Sequence, residues 1–181
     1  MTGLRIIGQH VSRKDGRDIV TGNVVYGPDI SLPGMLYGKV LRSTIASGRV
    51  VRIDVSRARA LAGIAAVITA ADVPSTRFGY AITDEQIFAS PKIRYAGEPL
   101  AAIAAVDANT ADEAARLIEI EYEETPGVFD PLDAMKDGAP LVHEEMGSYK
   151  VNPLLTRTWN PSPGTNIVHR IEYARGEVER G

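Results

Sequence analysis

An α+β fold with a mixed sheet is predicted, on three observations. Two stretches, residues 50–69 and 99–124, each read as a strand, a helix and a strand. Turn formers crowd the two ends of the chain, so both ends read as extended arms around a central domain. The chain has 181 residues, 44% hydrophobic and 24% charged, enough for one soluble core of ordinary size plus an extension.

Taken in order, residues 1–35 carry Gly, Pro and Asp at close intervals and predict an arm, with one short strand in DIVTGNVVY. MLYGKVLRS and then RVVRIDV read as strands. In the second, alternation puts Val51, Ile53 and Val55 on one side and Val50, Arg52 and Asp54 on the other. SRARALAG fits a short helix capped by Ser56, with Gly63 in the left-handed position past its end. IAAVIT follows as a buried strand.

The second unit repeats this plan. PLAAIAAV has strand length and is introduced by the turn AGEP. NTADEAARLI predicts a helix, with Thr110 and Glu113 at capping-box spacing. Ala111, Ala114, Ala115 and Ile118 share one face. EIEYEET alternates, with Ile120 and Tyr122 inward and Glu119, Glu121 and Glu123 on a solvated face. Strand–helix–strand units favour parallel or mixed pairing. The long joining segment carries Phe78, Tyr80, Ile82, Ile87 and Phe88, which argue that it packs on something. After Pro126 periodicity weakens, until NIVHRIEYARGEVERG predicts a last alternating strand through Ile167, His169 and Ile171, with no evident partner.

Composition excludes several functions. Net charge is −3, so no large basic field is available for nucleic acid or an anionic membrane. With no cysteine, the chain can supply no thiolate catalysis, zinc–cysteine site or iron–sulfur ligation. The N-terminus lacks the apolar core of a secretory signal and no stretch is long enough to span a bilayer, so a cytoplasmic location is expected.

No complete active site can be assembled from the residues. His10, His143 and His169 have no metal-ligand spacing, and His143 with Glu144 and Glu145 reads as a solvated charge cluster. Nucleophile elbows and phosphate loops are missing. Arg42-Ser43 reads as a strand end with a surface arginine. The most distinctive short motif is Tyr95-Ala96-Gly97-Glu98-Pro99: Gly97 permits a turn, Pro99 suits a strand start, and Glu98 can be held by backbone amides.

The ordered series VTGNVVYGPDISLPGMLYGKVLRS, RVVRIDVSRARALAGIAAVITAADVP, KIRYAGEPLAAIAAVDANTADEAARLIEIEYEETPGVFDPLDAM and GAPLVHEE resembles the N-terminal part of the molybdenum-binding subunit of the xanthine dehydrogenase/aldehyde oxidase family. It runs from about Val20 to about Glu145, and its spacing around FGYAITDEQIFASPKIRYAGEPLAAIAA looks nearest to the 4-hydroxybenzoyl-CoA reductase branch. The resemblance implies an N-terminal arm over 1–18, an α/β-hammerhead domain over 19–135, and a linker and strand over 136–181 leading towards a molybdopterin-binding region. RGEVERG then matches a domain junction, so an excised domain, a fragment or half of a split subunit is expected.

The family's catalytic glutamate and most pterin contacts belong to the later region, so no catalytic, cofactor-binding or metal residue is expected here. Molybdopterin, iron–sulfur clusters and FAD are implied for the full assembly, on a molybdopterin-binding domain or chain and on iron–sulfur and flavin partners. The segment between the two units lies towards the substrate entrance in the family, which nominates Phe78, Tyr80 and Phe88 as entrance-lining residues, beside the competing reading of ordinary packing. The chain departs from the family at Thr44-Ile45-Ala46-Ser47, where members commonly carry Pro-His-Ala-His-like residues; the fold is expected to hold, and contact with the cofactor region and substrate choice are the properties this change bears on. The expected function is part of a molybdenum hydroxylase, silent in isolation. The alternative is a non-catalytic scaffold module that binds a separate cofactor-bearing chain.

Overall fold

The computed structural model describes residues 7–8, 10–154, 159–177 and 179. They fall into two compact units, 1–35 and 36–181. In the first, residues Gly16–Val20 form a short helix, α1, where a strand was expected. Ile19 and Val20 are exposed and Gly22 turns the chain at φ +71°, so a strand here would have neither a buried face nor a ladder partner within its unit.

Among the described residues the second unit holds six strands: β1 (Tyr37–Arg42), β2 (Gly48–Asp54), β3 (Ile64–Thr69), β4 (Lys92–Ile93), β5 (Pro99–Ala105) and β6 (Glu119–Glu124). The helices are α2 (Ser56–Arg59), α3 (Ala108–Leu117) and α4 (Pro131–Ala134). Two three-stranded sheets form, ordered β1-β5-β3 and β4-β2-β6, and every described ladder in them is antiparallel. Both predicted strand–helix–strand units are present. Each crosses between sheets, β2-α2-β3 in one direction and β5-α3-β6 in the other, so the strands within a unit never become neighbours and the usual parallel crossover does not arise.

The core follows from this crossing. Ala101, Ile103 and Ala105 of β5 pack with Val67 of β3 against Ala111 and Ala114 of α3, and Ala58 of α2 closes the cluster. The predicted face of α3 is the buried one. A second cluster of Ala89, Ile93 and Leu100 takes in Ile45, Val50 and Tyr122, and Ile93 is fully buried.

Two local expectations change. A register shift between Val50 and Arg52 puts Val50 in the second cluster and Ile53 against the first, while Val51 faces out, so simple alternation fails across the bulge. Asp107 is the N-cap of α3, and Asp54 lies just before Val55, the N-cap of α2. Asp54 Oδ1 accepts from the Ser56 amide at 3.0 Å and its hydroxyl at 2.6 Å, and Asp107 accepts from the Thr110 amide at 2.8 Å and its hydroxyl at 2.9 Å. A carboxylate at the N-cap, as Asp107 is for α3, satisfies orphan amides and complements the helix dipole. Asp107→Ala is expected to lower the thermal midpoint by a few degrees without altering the fold, a change readable by circular dichroism.

The row Glu119, Glu121, Glu123 faces arginines. Register sets Glu123 opposite Arg49 and Glu121 opposite Arg52, and Arg57 reaches Glu119 at 3.0 Å. Opposite charges across the ladder remove the repulsion that the row alone would carry.

Residues 166–173 form no strand, and Ile171 and Tyr173 are exposed; without a partner ladder in the described chain the alternation has nothing to pair with. Residues 178, 180 and 181 of the expected junction lie outside the described residues.

Candidate functional site

The turn motif forms where β4 passes to β5. Gly97 sits at φ +90°, the Glu98 amide donates to the Tyr95 carbonyl at 3.3 Å, and Pro99 opens β5. This turn is sewn to the end of β1: the Ser43 amide donates to the Glu98 carbonyl, the Gly97 amide to the Ser43 carbonyl, and Arg42 Nη1 to the Gly97 carbonyl, each at 2.9 Å. Glu98 turns inward, 8% exposed, and its Oε2 accepts from the Arg94 amide at 2.7 Å. Burial pushes its carboxyl above the usual carboxylate range, against the pull of that amide and of the Arg94 charge.

Arg94 is the centre of a buried polar cluster. Its guanidinium lies 4.0 Å from Glu98 and 3.2 Å from Glu145, and only 8% of its side chain is exposed. Glu145 also pairs with Arg77, which donates to the Asp84 carbonyl at 2.9 Å and lies over the Tyr149 ring at 5.2 Å. The Tyr149 hydroxyl shares a 2.7 Å hydrogen bond with His143 Nδ1. Lys92 bonds the Leu141 carbonyl at 2.6 Å and Glu144 at 2.8 Å. His143 and Glu145 are therefore part of a network, while Glu144 is exposed as expected and pairs with Lys92; these partners lie far away in sequence, beyond reach of local pattern.

His143 is held towards its neutral form. Burial first, then the Arg94 charge and that of Arg77, holds its pKa below the ordinary 6.5, while Asp84 and Glu145 pull the other way. A base with a depressed folded pKa contributes full stability above its unfolded value and loses it as pH falls from 6.5 towards the folded one. Wild-type protein is expected to lose urea resistance as pH falls from about 6.5 to about 5. In His143→Gln that loss should be smaller, once measured against the opposing gain as Glu98 protonates.

The entrance candidates separate. Phe88 is 5% exposed and packs inside this chain, whereas Phe78 is 47% and Tyr80 84% exposed. Phe78 pairs with Glu85 in both directions at 3.0 Å, so the two exposed aromatics ride on a tight turn. The departure at 44–47 is absorbed locally. Ile45 packs on the second cluster, the Ser47 hydroxyl meets Thr125 Oγ1 at 2.9 Å, and Ala46 and Ser47 help line a cavity of about 250 Å³ with Phe129.

The buried cations of the cluster are engaged by Glu98, Glu144 and Glu145, and no group of three His, Cys, Asp or Glu among the described residues is placed to hold a metal. No helix among the described residues is long and apolar enough to cross a membrane.

Residues 21–126 match the family model described as aldehyde oxidase and xanthine dehydrogenase, a/b hammerhead domain. The chain is 36% identical over 170 residues to a probable xanthine dehydrogenase subunit of Bacillus subtilis, covering 93% of this chain and 20% of that protein. It is 34% identical over 151 residues to the nicotinate dehydrogenase large molybdopterin subunit of Eubacterium barkeri, covering 83% and 36%. CO dehydrogenase from Oligotropha carboxidovorans superposes with a TM-score of 0.68 at 34% identity, over 74% of this chain and 17% of that one. Quinoline 2-oxidoreductase from Pseudomonas putida gives 0.65 at 35%, over 73% and 18%. The chain thus spans between about a fifth and about a third of the length of these relatives. With the match covering most of the chain and the crossed two-sheet fold shared, the protein belongs to the aldehyde oxidase and xanthine dehydrogenase hammerhead family.

Proposed function

We propose that this chain is the hammerhead portion of a molybdenum hydroxylase and supports a molybdopterin site carried elsewhere, on the same polypeptide or a separate one. The observation that carries the reading is the shared fold with CO dehydrogenase, at a TM-score of 0.68, over only 17% of that longer chain. The rest of such a subunit supplies the cofactor site. Iron–sulfur and FAD-bearing partners complete the route by which two electrons leave the substrate. The isolated chain turns nothing over, in keeping with a polar cluster whose charges are engaged internally. A place near the 4-hydroxybenzoyl-CoA reductase branch rests on the motif spacing around residues 78–105. A cytoplasmic location goes with this reading.

In the assembled enzyme Phe78 and Tyr80 line the substrate entrance, while Phe88 is buried within this chain. Apolar side chains left exposed on an ordered turn fit a role at a mouth through which planar substrates pass. Phe78→Ala in the assembled enzyme, assayed with xanthine and nicotinate as probes, should raise KM about threefold to tenfold with kcat little changed, the pattern of lost uniform binding. Unchanged KM and unchanged preference between the probes would remove the entrance role.

A further inference from the structure

The turn that carries Phe78 and Tyr80 is fastened to a segment more than sixty residues away. The Thr83 amide donates to the Lys150 carbonyl at 2.9 Å, and the Lys150 amide returns to Thr83 Oγ1 at 3.2 Å. The Asn152 amide donates to the Ala81 carbonyl at 2.9 Å, and Ile82 bridges to Val151. Gly79 sits at φ +149°, and a Cβ there would lie 1.8 Å from the Ile82 carbonyl oxygen, so the turn is closed on itself. One side chain joins this strap to the sheet. Glu145 accepts from Arg77 at the root of the turn and from Arg94 beside β4.

We propose that Glu145 is a positioning residue: by bridging Arg77 and Arg94 it fixes the pose of the 78–85 turn, and with it Phe78 and Tyr80. The geometry requires a carboxylate. Two guanidinium groups converge on one oxygen, the arrangement in which an anionic acceptor makes the strongest hydrogen bonds. Arg77 is committed on three sides, to Glu145, the Asp84 carbonyl and the Tyr149 ring, and losing Glu145 removes the ion pair that ties the start of the turn to Arg94. His143 faces the same cluster through Tyr149, with Arg94, Arg77, Asp84 and Glu145 as its charged neighbours. The consequence for substrates rests on the entrance reading given above; the consequence for the turn does not.

Amide hydrogen exchange on the 181-residue chain tests the clamp directly. In Glu145→Gln, the amides of Phe78, Thr83 and Glu85 should exchange about tenfold faster or more, while those of β5 change less than about twofold. Arg77→Lys keeps the charge but loses the planar fork, and should loosen the same amides to a lesser degree if Glu145→Gln fails to fold. Val67→Ala serves as the control for a purely structural effect: it weakens the core and should leave the turn no looser than the rest. Unchanged turn exchange in both clamp variants, or loosening spread evenly over the unit, overturns the proposal. In the assembled enzyme, with xanthine and nicotinate as probes, Glu145→Gln should shift KM more than kcat. A loosened turn with unmoved KM supports the clamp and counts against the entrance reading, so the two fail separately.

Discussion

Arg94→Met is expected to destabilise the second unit by about 3–5 kcal/mol, the range for breaking a buried ion pair from one side. That corresponds to roughly 10 °C in thermal midpoint for a domain of this size. Glu98 would lose the cation that faces it and has little water to turn to, with 11% of its side chain exposed, while Glu145 would keep Arg77. The effect has a definite pH dependence. Glu98 already titrates above the usual carboxylate range because of burial, and loss of Arg94 raises it further. A group whose folded pKa is raised contributes stability that is present below its unfolded value and is lost as pH rises through the folded one. The variant should therefore be penalised more at pH 8 than at pH 5. Adding Glu98→Gln should restore part of the loss at pH 8, since the amide leaves no buried charge behind. Equal penalties at both pH values would show that Glu98 is not the group left stranded.

Gly48→Ala should cost about 2–4 kcal/mol, the range of a severe overpacking substitution. Gly48 opens β2, between Ile93 of β4 and Glu124 of β6. A Cβ would stand 2.5 Å from the Glu123 carbonyl oxygen, 2.7 Å from Ile45 Cδ1 and 3.2 Å from Glu124 Cα. Ile45 can swing aside, but the two backbone atoms cannot without opening the β2–β6 ladder. Chemical denaturation should show a shifted midpoint with little change in slope. A variant as stable as the parent would mean that β6 does not approach β2 this closely.

Local patterns carried much of the second unit. Its elements announce themselves by apolar runs, turn residues or period, and the apolar face of α3 lies where spacing puts it. What period cannot show is partnership. The crossing of each strand–helix–strand unit between sheets depends on pairings such as Val40 with Ala102 and Val67 with Ile103, contacts made over long sequence separations. The bulge after Val50 breaks alternation by one residue and moves Val50 to the inside, a change no hydropathy pattern records. Arm and tail fail for the converse reason, since alternation without a neighbouring strand yields no ladder.

The polar cluster was the least legible part. Gly97, Glu98 and Pro99 stand out as a motif, yet nothing adjacent to them points to Arg77 or Glu145. His143, Glu144 and Glu145 look like surface charge until the chain folds them against β4. The one available signal was the excess of polar contacts that a buried Arg94 must find, and burial at that position is not a property of the local sequence.

Molybdenum content, measured with intact masses on protein purified from its own source, tests the hydroxylase reading most directly. The predicted result is molybdenum and pterin in near-equal proportion to this sequence, either on one long polypeptide that contains it or on a large chain that co-purifies with it. A lone 181-residue protein without molybdenum and without such a chain would contradict it, and would leave a hammerhead domain put to another use.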